Sequence, residues 1–429
     1  MSETLQDRFQ NLHEFIKAAR TNLNRNVWDY LIGASETETT VARNRLALDS
    51  LGFRPRVLCD VSEIDCSTSL FGRKLRIPVL LAPVGSLESF EPGGGATVAK
   101  AATEFGNGMI LSCVSHPGLE ATAEASGAGF KIFQLYVLGD ADWVDDHFLR
   151  AIDAGYDAFC VTVDTDRYSR RERDIAKRYQ RRGVVVRNDA RVFQARHSWR
   201  DVERCKAKFA IPLILKGIAT AEDARRAVEL GVDCVYVSNH GGRQLDHGLG
   251  SIDVLPEIVG AVGGKARVIV DGGISRGTDV VKAMILGADA VAVGRLYVYG
   301  LAAAGGSGIV RLLEILQHEI TICLALLGVT GFAALDKSYI CRRGRSPRRT
   351  CTAPFRSSTC RTKRINRAAG LLLCPPTPHL PLAASAGKQQ RHPRFLSKGA
   401  TPRRAPARAA AAPQQIILER SACYPYPTH

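Results

Sequence analysis

The sequence predicts an α/β fold: a (β/α)8 TIM barrel with an N-terminal helical segment and a disordered basic C-terminal tail. Eight short runs rich in Val, Ile and Leu, a weak internal repeat and a sharp change in composition near residue 340 lead to that reading. The runs are Pro78–Val84, Gly108–Ser115, Phe130–Val137, Asp157–Asp164, Ile211–Gly217, Asp233–His240, Arg267–Gly273 and Asp289–Arg295. Their hydrophobicity is nearly continuous, which marks strands buried on both faces, as in a parallel sheet. Helical stretches such as Glu222–Leu230 and Thr278–Leu286 lie between them. The repeat is Ala151–Asp157, Ala227–Asp233 and Ala283–Asp289, each ending a helix at Gly before launching a strand. Glycine there supplies a left-handed helix C-cap. Eight strands alternating with helices favour a barrel over a doubly wound sheet, which more often has five or six strands.

Residues 1–340 and 341–429 form two expected units. The net charge of +16 over 429 residues resides in the second: residues 341–429 hold 18 Lys and Arg against one acid, Glu419. Residues 1–340 hold 40 bases against 41 acids. The second unit also carries 12 of the 19 prolines and no lasting apolar period, so burial cannot offset its ordering entropy. It reads as a disordered Arg/Pro/Ala-rich extension, of the kind a mis-joined gene model produces; a basic arm for an anionic partner is the other reading. No apolar run reaches membrane-spanning length, and Met1–Arg20 lacks the apolar segment of a secretory signal. The cysteines include no C-x-x-C pair, so no metal site is expected, and Cys113, Cys160 and Cys234 read as small buried hydrophobes. With no secretory signal read at the N-terminus, a reducing, cytoplasmic setting is the expectation.

Chemistry in a barrel belongs at the carboxyl ends of its strands. Polar residues interrupt the apolar runs there: Gln134 and Tyr136, Thr162 and Asp164, Lys216, Ser238 to Arg243, Asp271 and Arg295. The strongest group runs from Ser238 to Asp246 and contains His240, Gly241, Gly242 and Arg243. Histidine is matched to proton transfer near neutral pH, and an arginine fork suits a carboxylate. Two glycines between them let the backbone turn tightly.

These residues, with Phe53-Arg54-Pro55-Arg56, Ala82-Pro83, Phe133–Tyr136, Thr162–Asp164, Arg170–Glu172, Leu215–Gly217, Asp271–Gly273 and Gly294-Arg295, resemble the FMN-dependent 2-hydroxy-acid oxidases and dehydrogenases. That family includes glycolate oxidases, lactate oxidases and flavin-type lactate dehydrogenases. The resemblance covers about Phe9 to Ile340. It implies oxidation of a small (S)-2-hydroxy acid to a 2-oxo acid, with FMN as cofactor, oxygen or another electron acceptor, and a homo-oligomeric assembly.

The same resemblance assigns roles. His240 is the base, Asp164 its carboxylate partner, and Tyr136 bonds the substrate near its reacting hydroxyl. Arg171, Arg243 and Tyr30 hold the substrate carboxylate. Lys216 stands beside the flavin edge where negative charge collects on reduction, and a fixed cation stabilises that state. Ala82, Pro83 and Val84 lie under the ring; Ser112, Gln134, Thr162 and Ser238 contact the flavin. Asp271 meets the ribityl chain, and Gly272, Gly273, Gly294 and Arg295 the phosphate.

The chain departs from the family pattern at several points. Ser275 stands where many relatives carry Arg, with Arg276 following; Leu296 replaces a Pro, and Glu91-Pro92-Gly93-Gly94 replaces His-Pro-Glu-Gly. Val114 stands where glycolate oxidases place a pocket Trp, which implies a roomier site. Thr165–Lys208 carries 15 Lys and Arg against 6 acids and corresponds to the family's mobile lid, within which only Arg171 receives a role. The alternatives are an impaired FMN-binding barrel, or a barrel tethered to nucleic acid by its tail; charge without a motif argues weakly for nucleic acid, and no membrane partner is expected.

Overall fold

The computed structural model describes residues 4–179 and 190–342. The disordered tail expected beyond residue 340 lies outside them, except for Cys341 and Arg342. A closed, all-parallel barrel of eight strands forms the centre: β1 (Val79–Leu81), β2 (Gly108–Ser112), β3 (Lys131–Leu135), β4 (Ala158–Thr162), β5 (Leu213–Ile218), β6 (Cys234–Val237), β7 (Arg267–Val270) and β8 (Ala290–Val293). Each falls within one of the eight expected runs or overlaps it. Neighbours pair in chain order, and β8 closes on β1 through Val291–Val79 and Val293–Leu81.

Side-chain alternation divides every strand between two cores. Leu80, Ile110, Ile132, Ala158, Cys160, Ile214, Cys234, Tyr236, Ile269 and Ala290 fill the barrel interior. Their neighbours Leu81, Leu111, Phe133, Phe159, Leu215, Val235, Val268 and Val291 join the larger core under the helices. Burial on both faces is why the runs read as continuously apolar. Each fully buried aliphatic side chain contributes about 1.5–3 kcal/mol. The interior is closed at its amino end by the hairpin Thr68–Leu70/Arg73–Leu75, whose Leu70 and Leu75 join the interior cluster.

The helices follow the expected punctuation. Ala221–Glu229 and Gly277–Ile285 are followed at their ends by Gly231 and Gly287 with φ of 72° and 101°, and Gly155 does the same at 71°. Four N-terminal helices precede the barrel among the described residues: the short Leu5–Arg8, then Leu12–Asn22 and Arg25–Ile32, capped by Asn11 and Asn24, and Thr39–Asp49. The strand Ile340–Arg342 pairs antiparallel with Leu51–Phe53, so the expected boundary at residue 340 falls inside a strand. Among the described residues, no helix is long and apolar enough to cross a membrane.

Candidate active site

A cavity of about 650 Å³ opens at the carboxyl ends of the strands. It is lined by His240, Lys216, Tyr136, Arg171, Arg243 and Tyr30, and also by Ala82, Pro83, Val84, Asp271, Gly272, Gly273, Gly294 and Arg295. Ser112, Gln134, Thr162 and Ser238 do not line it and are buried at the same strand ends; Asp164, also off the lining, is partly buried beside them.

His240 sits at the centre. Its Nδ1 lies 3.0 Å from Asp164 Oδ1, and its Nε2 lies 3.3 Å from the Tyr136 hydroxyl. Its backbone is left-handed at φ 56°, a conformation that costs a non-glycine residue about 1–3 kcal/mol. The His240 N–H donates to Ser238 Oγ at 3.0 Å, which helps hold that turn. The following glycines are required. Gly242 has φ +77°, and a Cβ there would lie 2.6 Å from the Val41 backbone nitrogen. Gly217 has φ +116° where the β5–β6 register shifts, and a Cβ there would lie 2.6 Å from Asp164 Cβ. The irregularity therefore gives Asp164 its space beside Lys216.

Burial lowers the pKa of His240, and Lys216 and Arg171 push the same way; together they outweigh the opposing pull of Asp164. Burial alone would raise Asp164, but His240 and Lys216 bring it below the ordinary carboxylate value. The resting pair is therefore a neutral imidazole beside a carboxylate, with Nδ1–H donating to Asp164 and Nε2 free to accept a proton. Burial raises Tyr136, as does Asp164, so the phenol keeps its proton.

The pH profile follows from this. The acid limb of kcat/KM is expected below the ordinary imidazole value of about 6.5. A limb at or above that value would mean that His240 is not held neutral by its surroundings. The same depression makes the folded state refuse a proton that the unfolded chain accepts. The His240 contribution to stability thus falls as pH drops from about 6.5 through the lower folded value.

Arginine dominates the mouth. Arg171 donates to the Tyr168 hydroxyl at 2.6 Å, and Arg191 stacks over the same ring at 4.7 Å. Arg243 donates from Nη1 to the carbonyls of Tyr30 and Gly33, each at 2.7 Å. Arg295 donates to Leu31, Gly33 and Gly241 carbonyls at 3.1, 2.9 and 3.0 Å. Both guanidiniums thus meet orphan carbonyls at the C-terminal end of helix Arg25–Ile32, where cations are favoured. They hold that helix, and Tyr30 with it, across the barrel mouth. Burial first, and Arg171 second, push Arg243 below the ordinary arginine range.

Lys216 Nζ lies 3.2 Å from Ser238 Oγ and 3.9 Å from Asp271 Oδ2. Asp271 also accepts from the Ser238 and Tyr236 hydroxyls at 2.6 and 3.0 Å. Gln134 Nε2 donates to Thr162 Oγ1 at 2.8 Å, whereas Gln134 Oε1 and Ser112 Oγ are buried with no hydrogen-bond partner among the described residues. Such orphans are rare in folded proteins. A ring with polar edges supplies partners of the missing kind, so the residues present fit a flavin.

At the other end of the cavity the departure at Ser275 is visible. Arg276 turns to Glu319, 2.7 Å away, and does not line the cavity. Arg45 does line it; this residue pairs with Asp279 at 2.7 and 2.9 Å and reaches the Gly273 carbonyl at 3.3 Å. Sequence reasoning missed Arg45 because it lies on a helix about 230 residues away from the loop it meets, with no motif of its own. Gln194 was missed too, within a stretch in which only Arg171 received a role.

The pattern matches a known family over most of the described chain: the FMN-dependent dehydrogenase family, across residues 19–342. The chain belongs to that family. This FMN-dependent dehydrogenase is 38% identical over 355 residues to an L-lactate oxidase of Nostoc sp., covering 77% of this chain and 97% of that protein. It is also 38% identical over 352 residues to a peroxisomal (S)-2-hydroxyacid oxidase of Arabidopsis thaliana, covering 78% and 97% respectively. Among solved structures, a mandelate oxidase with 3,3-difluoro-2-hydroxy-3-phenylpropionic acid superposes with a TM-score of 0.71 at 40% identity, covering 76% of this chain and 97% of that one. The enzyme is an FMN-dependent oxidoreductase.

Proposed function

We propose that this enzyme oxidises an (S)-2-hydroxy acid to the 2-oxo acid, with His240 as the base, and passes electrons to oxygen. The observation that carries the proposal is the placement of His240: Nδ1 on a carboxylate, Nε2 beside a phenol, and the guanidiniums of Arg171 and Arg243 at the same cavity.

Arg171 and Arg243 take the substrate carboxylate, helped by the Tyr30 hydroxyl. Tyr136 bonds the substrate hydroxyl, and His240 Nε2 accepts its proton as the C–H bond breaks. Asp164 stabilises the imidazolium that forms. FMN, when bound, would take up the two electrons together with the hydrogen of the broken C–H bond, as a hydride equivalent. Lys216, Ser112, Gln134, Thr162 and Ser238 would hold the ring over Ala82, Pro83 and Val84. Asp271 would hold the ribityl chain, and Gly272, Gly273, Gly294 and Arg295 the phosphate.

The substrate side chain meets Phe90, Val114 and Leu138 on the cavity wall. An aliphatic residue at Val114 leaves room for a bulky group. A panel of acids tests this: (S)-mandelate should exceed glycolate in kcat/KM, and Val114→Trp should lower that ratio by roughly tenfold or more. Equal ratios in both proteins would remove Val114 from the specificity wall.

Assembly with further copies of the chain is part of this reading and rests on the family resemblance alone. Cytoplasmic residence is part of this reading, against the peroxisomal naming of the plant relative.

A further inference from the structure

The geometry points to Gln194 as a positioning residue that fixes the spacing of Tyr136 and Asp164 around His240. Gln194 lies on the short helix Arg191–Arg196, in the connection between β4 and β5, and is 3% exposed. Its Oε1 accepts the Val137 N–H at 2.7 Å, and its Nε2 donates to the Thr162 carbonyl at 3.1 Å. Val137 directly follows Tyr136, and Thr162 lies two residues before Asp164. One amide therefore ties together the backbones that carry both partners of the imidazole.

A second glutamine braces the same segment from the other side. Gln244 Nε2 donates to the carbonyls of Asp164 and Arg167 at 3.0 and 2.9 Å. Gln244 belongs to the His240 loop, so its bond moves with His240. Gln194 belongs to a different element, and its two bonds make the catalytic spacing depend on that helix being docked. A buried amide with both ends satisfied locks a rotamer, and misplacement of a catalytic group by about 1 Å costs up to roughly 10²-fold in rate.

The inference rests on the reading of His240 as base. The charged and titratable groups facing His240 are Asp164, Lys216, Arg171 and Tyr136. Gln194 adds no charge to that set, so its loss acts on pH dependence only through geometry and water access.

Gln194→Met keeps the length of the side chain and removes both bonds. In the full chain with FMN bound, kcat for (S)-mandelate or L-lactate is expected to fall roughly 10- to 100-fold with KM changed little. The acid limb of kcat/KM is expected to move up toward the ordinary imidazole value, since loosened spacing readmits water to His240. Should the methionine variant fail to fold, Gln194→Leu also removes both bonds without adding charge; a lower kcat with a raised limb is expected there too. An unchanged kcat and limb in a folded variant would overturn the proposal, as would a rise in KM alone, which marks a substrate contact. A wild-type protein that turns over no 2-hydroxy acid refutes the broader reading, and this proposal with it.

Discussion

Replacement of His240 by alanine lowers turnover of 2-hydroxy acids by roughly 10²–10⁴-fold, the scale of a positioned acid/base group, while FMN stays bound. The size follows from the burial of the site. His240 has a carboxylate on one nitrogen and a phenol facing the other, so it is held in one orientation and paired for taking up a proton. Flavin retention follows from position, because the proposed ring contacts come from β1 to β5 and from Ser238, not from the imidazole. The substitution also relieves little of the loop's strain, since alanine inherits φ 56°. Steady-state kinetics together with the flavin absorbance of the purified variant check both halves. Near-normal turnover would remove His240 from the mechanism, and loss of flavin would move it to the cofactor.

Lys216→Met is expected to slow substrate oxidation by roughly 10²–10³-fold, the usual loss when a preorganised donor to developing charge is removed. The fold should survive. Asp271 keeps its bonds from Ser238 and Tyr236, so no carboxylate is left without donors. Methionine fills the volume of the lysine stem at a position where the side chain is buried. The midpoint potential of the bound flavin should become more negative, because a fixed cation near the ring favours its reduced, anionic form. An unchanged potential with slow turnover would place Lys216 in substrate handling instead.

The barrel was legible because burial on both faces leaves a distinctive mark, eight continuous apolar runs closed by glycine-ended helices. The resemblance supplied the roles of His240, Arg171 and Arg243, and the structure brings those three to one cavity. The N-terminal helical segment was visible only as the carrier of Tyr30. The end of its helix Arg25–Ile32 is tied down by Arg243 and Arg295 bonding the carbonyls of residues 30, 31 and 33, contacts between side chains and backbone that leave no periodic signal. Arg45 and Gln194 were missed for the same reason: each acts on backbone atoms of distant loops. The boundary at residue 340 was drawn from composition. The short strand Ile340–Arg342 contains Cys341 and Arg342, which resemble the tail in composition but pair with Leu51–Phe53.

Anaerobic mixing of the purified full-length protein with (S)-mandelate and with L-lactate, followed by visible absorption, tests the central claim most directly. The account predicts a yellow protein with one FMN per chain whose absorbance bleaches on mixing with at least one of these acids and returns on admission of oxygen. A colourless protein that takes up no added FMN, or a yellow one that neither acid bleaches, would contradict it.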